Sequence, residues 1–161
     1  MEASIKKIIL ATDFSDISKD ASSHALLLAR TNKAELKALH VFDTSAWSIP
    51  AHDYLAADAI IEGLQEAIQK GKNTLKELAE SFDQKVETIF REGDPGHEII
   101  RVAEEENADL IVLGTHGYKG WKRFTLGSVA ELAVRHAPCA VLTVRPKGKQ
   151  TKLIKETHHE S

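Results

Sequence analysis

The sequence predicts an α/β fold, a single doubly wound open sheet of five parallel strands with helices on both faces. Short apolar runs rich in Val, Ile and Leu alternate with helical patterns along the chain. Some of those runs are nearly continuous in hydrophobicity, as expected of strands covered on both faces. The resulting order β-α-β-α-β-α-β-α-β, joined by right-handed crossovers, makes a doubly wound sheet.

"KKIILAT" (6–12), "ELKALHVF" (35–42), "KVETIFRE" (85–92), "DLIVLG" (109–114) and "CAVLTVR" (139–145) read as the strands. The first helix is expected over 18–31, with Ala25, Leu28 and Ala29 among its buried residues. The second is long, 53–82. There Ile61, Leu64, Ile68, Gly71, Leu75, Leu78 and Phe82 recur at intervals of three and four and form one apolar seam. Gly71 falls on that seam. A mid-helix glycine costs ~1 kcal/mol relative to alanine, so close packing is its expected role. "GDPGHEII" starts the third helix, with Asp94 as N-cap and Pro95 at the first helical position. It runs to 107. The last helix follows Gly127-Ser128 and stops before Pro138. Residues 1–146 are expected to form one domain, and the polar tail 147–161 to be mostly disordered.

Hydrophobic residues make up 42% of the 161 and charged residues 28%, with a formal net charge of -3. This balance gives no electrostatic reason to expect nucleic acid or an anionic membrane as partner. Cys139 is the only cysteine, which excludes an intrachain disulfide and favours a reducing compartment. The N-terminus lacks a signal-peptide pattern, and no apolar run approaches the ~20 residues of a membrane helix. A cytoplasmic location is expected.

The stretch "LIVLGTHGYKGWKRFTLGSVAELA" (110–133) carries the chemistry. Gly114 ends an apolar run, and Gly117, Gly120 and Gly127 follow before the helix at Ser128. A strand–helix connection normally needs only ~2–6 residues. In open α/β sheets, ligands sit beyond the carboxyl ends of the strands. Glycines let backbone N–H groups approach an anion, and a helix start offers unpaired N–H groups with a positive dipole end. With the Ser128 hydroxyl and the basic residues Lys119, Lys122 and Arg123, the stretch suits phosphate.

The spacing Gly114-x2-Gly117-x9-Gly127-Ser128, with "ATDFS", "LHVF" and "APCAVLTVRP", resembles the nucleotide-binding branch of the universal stress protein family. The resemblance covers residues 5–146. It implies a Rossmann-like sheet of order 3-2-1-4-5 with the ends of strands one and four side by side. It also implies that Gly114, Gly117, Gly127 and Ser128 surround phosphates and ribose, with Thr115, His116 and Val129 beside them. Ala11, Thr12 and Asp13 would line the nucleoside, and Val41 would offer backbone groups to the adenine edge. The atom that Asp13 reaches stays open between ribose, adenine and a bound magnesium, and Asp13 could also cap the first helix. The basic residues read more as a solvated face than as phosphate ligands, with at most one of them, Arg123 slightly ahead, reaching the triphosphate. Trp47 is read as loop packing or as a lid near adenine, and Cys139 as a small buried residue.

The implied ligand is ATP, with AMP or ADP as alternatives and Mg2+ accompanying it. Three functions are compatible with these readings: a nucleotide-binding stress-response protein acting through conformation or association, a slow ATP hydrolase or other ATP-using enzyme, and a partner-binding module. Walker, Rossmann-dinucleotide and S-G-G-x-D-S patterns are absent from the sequence. No paired carboxylates adjoin the glycine stretch, so no catalytic or metal residue is assigned. In the implied order, strand 139–145 is an apolar edge that two copies could pair as a homodimer.

Overall fold

The computed structural model describes residues 4–47, 54–115 and 126–146. Its strands are β1 (Lys7–Ala11), β2 (Glu35–Asp43), β3 (Glu87–Gly93), β4 (Leu110–Gly114) and β5 (Ala140–Val144). The helices are α1 (Asp16–Asn32), α2 (Tyr54–Glu80), α3 (Pro95–Glu105) and α4 (Ser128–His136), and a short 3-10 turn, Thr44–Ala46, follows β2. All strand pairs are parallel, in the order β3-β2-β1-β4-β5.

Alternation along the central strands divides the core into two layers. Ile9, Ala11, Leu39, Val41, Ile111 and Leu113 face α3 and α4, where Ile99, Val102, Ala103, Ala130 and Ala133 meet them. Ile8, Leu10, Leu36, Leu110 and Val112 face the other way, toward Ala21, Ala25 and Ala29 of α1. That face of α1 is made of small residues, including the buried Ser18 and Ser22, so the helix lies close on the sheet. Leu28, expected inside, is only partly buried at the margin of this layer.

α1 also begins earlier than the apolar pattern suggests. Ser15 is its N-cap, and its hydroxyl accepts a bond from the Ser18 N–H. Asp13 therefore does not cap the helix directly. Its Oδ1 accepts from the Ser15 N–H at 3.0 Å and the Ser15 hydroxyl at 2.5 Å, bracing the residue that does. β4 starts one residue later than expected because Asp109 turns its carboxylate to the N–H groups of Lys6 and Lys7, at 2.8 and 2.9 Å.

On α2, Leu75 and Ala79 are buried while Ile61 is 41% exposed. Twenty-seven residues of helix span ~40 Å, longer than the strands they cover. The N-terminal part of the seam therefore overshoots the sheet. Gly71 packs as expected: a Cβ there would stand 3.0 Å from Cε2 of Phe90.

The amino ends of the strands carry a charge network. Lys37 reaches Glu106, Glu35 and Glu87 at 2.8–3.3 Å, and Lys7 reaches Glu106 at 3.5 Å. Glu106 is held below the usual carboxylate range, mainly by its bond to Lys37, and Asp109 by the Lys6 and Lys7 amides. Both groups release protons more easily folded than unfolded. Their contribution is therefore present above the unfolded carboxylate range of ~4 and is lost as pH falls through their folded values. The thermal midpoint is expected to drop as pH falls from 5 toward ~2. Asp109→Asn should flatten that slope; an identical slope in wild type and variant would remove Asp109 from the account.

Candidate functional site

A cleft of about 520 Å³ opens at the carboxyl ends of β1, β2 and β4, on the α3/α4 face. That is within the usual range of small-molecule sites. Ala11, Thr12, Asp13, Val41, Gly114, Thr115, Gly127, Ser128 and Val129 all line it. These are the sequence-predicted site residues within the described part of the chain. His116, Gly117 and Arg123 lie outside the described residues, as do Lys119 and Lys122.

One wall is the start of α4. Its N-cap, Gly127, has no side chain with which to satisfy the helix's first N–H groups. The Gly127 N–H donates to the Thr115 carbonyl at 2.7 Å, and the Thr115 N–H donates to the Val144 carbonyl at 2.9 Å. The two ends of the glycine stretch are thereby pinned to each other and to β5. Gly114 is crowded from the α1 side, where a Cβ would stand 2.6 Å from Cγ2 of Ile17.

The opposite wall is the end of β1. Thr12 is 7% exposed; its hydroxyl accepts from the Phe14 N–H and donates to the Ser18 hydroxyl, each at 3.1 Å. Phe14 follows with φ 65°, a left-handed conformation that L-residues with bulky side chains rarely adopt. Such positions persist only where the surroundings hold them, and they concentrate at functional sites. Here the Phe14 ring stacks on His40 with centroids 4.3 Å apart, and the Phe90 ring lies tilted to His40 at 5.7 Å.

The floor is apolar, built from Val41, Leu39, Ile99 and Leu113. Asp43 and Asp94 line the far rim. Asp94 caps α3 as the sequence suggests, accepting from the His97 N–H at 3.0 Å, and pairs with His97 Nδ1 at 2.6 Å. Those bonds to His97, backbone first, hold its carboxyl below the usual range. Among the described residues, no Lys or Arg lines the cleft. The rim is thus acidic on the β2/α3 side, and the open helix start lies across from it. A helix start without a side-chain cap suits an anion, and hydroxyl or amine donors suit the carboxylates.

Sequence reasoning did not place at the site Ser18, His40 or Asp43, which also line the cleft, or Phe14 beside it. His40 was visible only as a polar residue inside an apolar strand, and nothing in the sequence signals the left-handed turn at Phe14. Trp47 packs against Phe42, ring centroids 6.3 Å apart, and beside Gly63 of α2. Cys139 is partly buried, and burial pushes its thiol pKa up. No group of three or more potential metal ligands occurs among the described residues.

The family model described as "Universal stress protein family" matches residues 4–145. Universal stress protein MJ0531 of Methanocaldococcus jannaschii is 40% identical over 146 residues, covering 90% of this chain and 85% of its own. The solved structure of universal stress protein UspA from Lactobacillus plantarum superposes with a TM-score of 0.70 at 30% identity, covering 89% of this chain and all of that one. A universal stress protein solved in complex with cAMP superposes at 0.56 with 26% identity, covering 88% and 97%.

Proposed function

The chain belongs to the universal stress protein family, a stress-response family, and from that premise we propose that its cleft binds an adenine nucleotide, ATP foremost. The observation that carries the reading is the uncapped start of α4 facing the ends of β1 and β2 across one cleft. Phosphates would lie against α4 and the glycine stretch, where Gly114, Gly127 and Ser128 leave room and N–H donors; the proposal extends this wall to His116, Gly117 and Arg123. The nucleoside would lie over Ala11, Thr12, Asp13 and Val41, within reach of the acidic rim. The carboxylates favour a nucleotide that arrives with Mg2+, which lowers its charge against them. The cAMP complex of a related protein supports a nucleotide in this fold.

The nucleotide acts in this reading as an effector of conformation or association inside the cytoplasm, placing the chain in the ATP-binding branch of its family. Native mass spectrometry of the purified protein is expected to find a copurified adenine nucleotide. No nucleotide, together with no calorimetric response to ATP or AMP with Mg2+, would overturn the reading.

Assembly is the second part of the proposal. β5 is a sheet edge, with Val141 and Leu142 only partly buried and Val134 of the adjoining α4 53% exposed. An apolar edge is a template for a second strand, so two copies are proposed to pair through 139–145. Light scattering at micromolar concentration should give a dimeric mass, and Val141→Lys should shift it toward monomer. A monomeric wild type would end the proposal.

A further inference from the structure

Where the β1–β2 ladder stops, a side chain takes the place of the next rung. The Thr12 N–H donates to the Leu39 carbonyl at 2.9 Å, and the paired register stops at Ala11 opposite Leu39. Continuing a parallel ladder would send the Thr12 carbonyl to the Val41 N–H. Instead that carbonyl lies 2.8 Å from Nδ1 of His40. A carbonyl can only accept, so Nδ1 carries the proton and donates. Backbone groups two residues apart on a strand point the same way, so Val41 turns its N–H and carbonyl where Leu39 turns its own, toward β1. Beyond Thr12, β1 has left, and Val41 lines the cleft.

His40 borders the cleft, while its ring lies on the reverse side of the sheet, toward α2. The ring is stacked on Phe14, with Phe90 tilted beside it, and lies 3.8 Å from where a Cβ on Gly71 would stand. We infer that His40 is a positioning residue of the cleft: by donating to the Thr12 carbonyl it draws that acceptor away from the Val41 N–H, and by stacking on Phe14, whose own N–H goes to the Thr12 hydroxyl, it holds the left-handed turn that leaves the Val41 carbonyl unpaired. An unpaired N–H and C=O on one residue, over an apolar floor, match the donor–acceptor edge of a planar heterocycle. His40 thereby governs recognition of the base and leaves the phosphate end untouched. Burial, the largest influence, pushes its imidazole below the ordinary histidine value, while the Thr12 carbonyl and Asp13 act in the opposite direction. The role of the edge toward a base rests on the nucleotide reading above; the unpaired edge does not.

Two measurements separate them. Hydrogen exchange on the ligand-free protein should show the Val41 amide exchanging at least about tenfold faster than that of Leu39, its ladder-bonded neighbour. Equal protection would overturn the inference whatever the protein binds. For the ligand, His40→Leu removes the donor and His40→Asn keeps one near the Nδ1 position. His40→Leu should lose about tenfold in ATP affinity, the scale of one disturbed hydrogen-bonding pair, with His40→Asn recovering most of it. Affinity for inorganic tripolyphosphate should be unchanged in both variants. Equal losses for ATP and tripolyphosphate, or wild-type ATP binding in folded His40→Leu, would overturn the base-recognition role. Wild-type protein that binds no ATP would overturn the nucleotide reading and that role with it, while the exchange pattern still decides the unpaired edge.

Discussion

Gly127→Val is expected to lower ATP affinity by roughly a hundredfold or more, equivalent to ~3 kcal/mol, while the protein stays folded. Gly127 sits at φ -61°, ψ 153°, a conformation open to any L-residue, so the substitution brings no backbone strain. Its N–H still donates to the Thr115 carbonyl, and the helix start is kept. What changes is space: a branched side chain stands where an anion would approach the first N–H groups of α4. Calorimetry with ATP and circular dichroism on the same samples check both halves. Unchanged affinity would place the phosphates elsewhere.

The second large effect is expected at Gly114, for a different reason. A Cβ at Gly114 would meet Cγ2 of Ile17 at 2.6 Å, Cβ at 3.4 Å and the Ile17 backbone carbon at 3.6 Å. Only the Cγ2 contact is a clash, the other two being ordinary van der Waals distances, so Ile17 must leave its rotamer or the start of α1 must shift. Overpacking of this kind costs about 2 kcal/mol, or roughly 4–8 °C in Tm for a chain of this size. Because Ser15 and Asp13 lie in the same turn, nucleotide affinity should fall too. Ile17→Ala removes the obstructing methyl. The double variant should therefore melt higher than the sum of the two single losses predicts. Strict additivity would mean that the crowding is relieved elsewhere at no cost.

These two glycines show how differently the site could be read from sequence. Their spacing, and their place between an apolar run and a helix, were legible because strand ends and helix starts have chemical signatures of their own. The five strands, the long α2 and the Asp94–Pro95 start of α3 were legible for the same reason. The packing demand at Gly114 was not, since Ile17 comes to it from nearly a hundred residues away. The division of labour at the end of β1 was equally hidden. Asp13 was open to capping α1 as well as to nucleotide contact, yet Ser15 caps and Asp13 braces it, a choice made by turn geometry within a run of residues that can all accept such bonds. Leu28 and Ile61 were misplaced by periodicity alone. The helical period tells which residues share a face, but how far the sheet extends beneath them decides which of those are covered.

The bond between Gly127 and Thr115 has a consequence for how such a protein can vary. Since the two ends of the intervening stretch are fastened to each other and to β5, its length is not transmitted to the scaffold. Closing a longer flexible stretch costs only ~0.6 kcal/mol for each doubling of length. Residues could be inserted or removed between the fastened ends while the sheet and α4 keep their positions. The framework thus serves as a fixed socket that need not refold when the length between its two fastened ends changes.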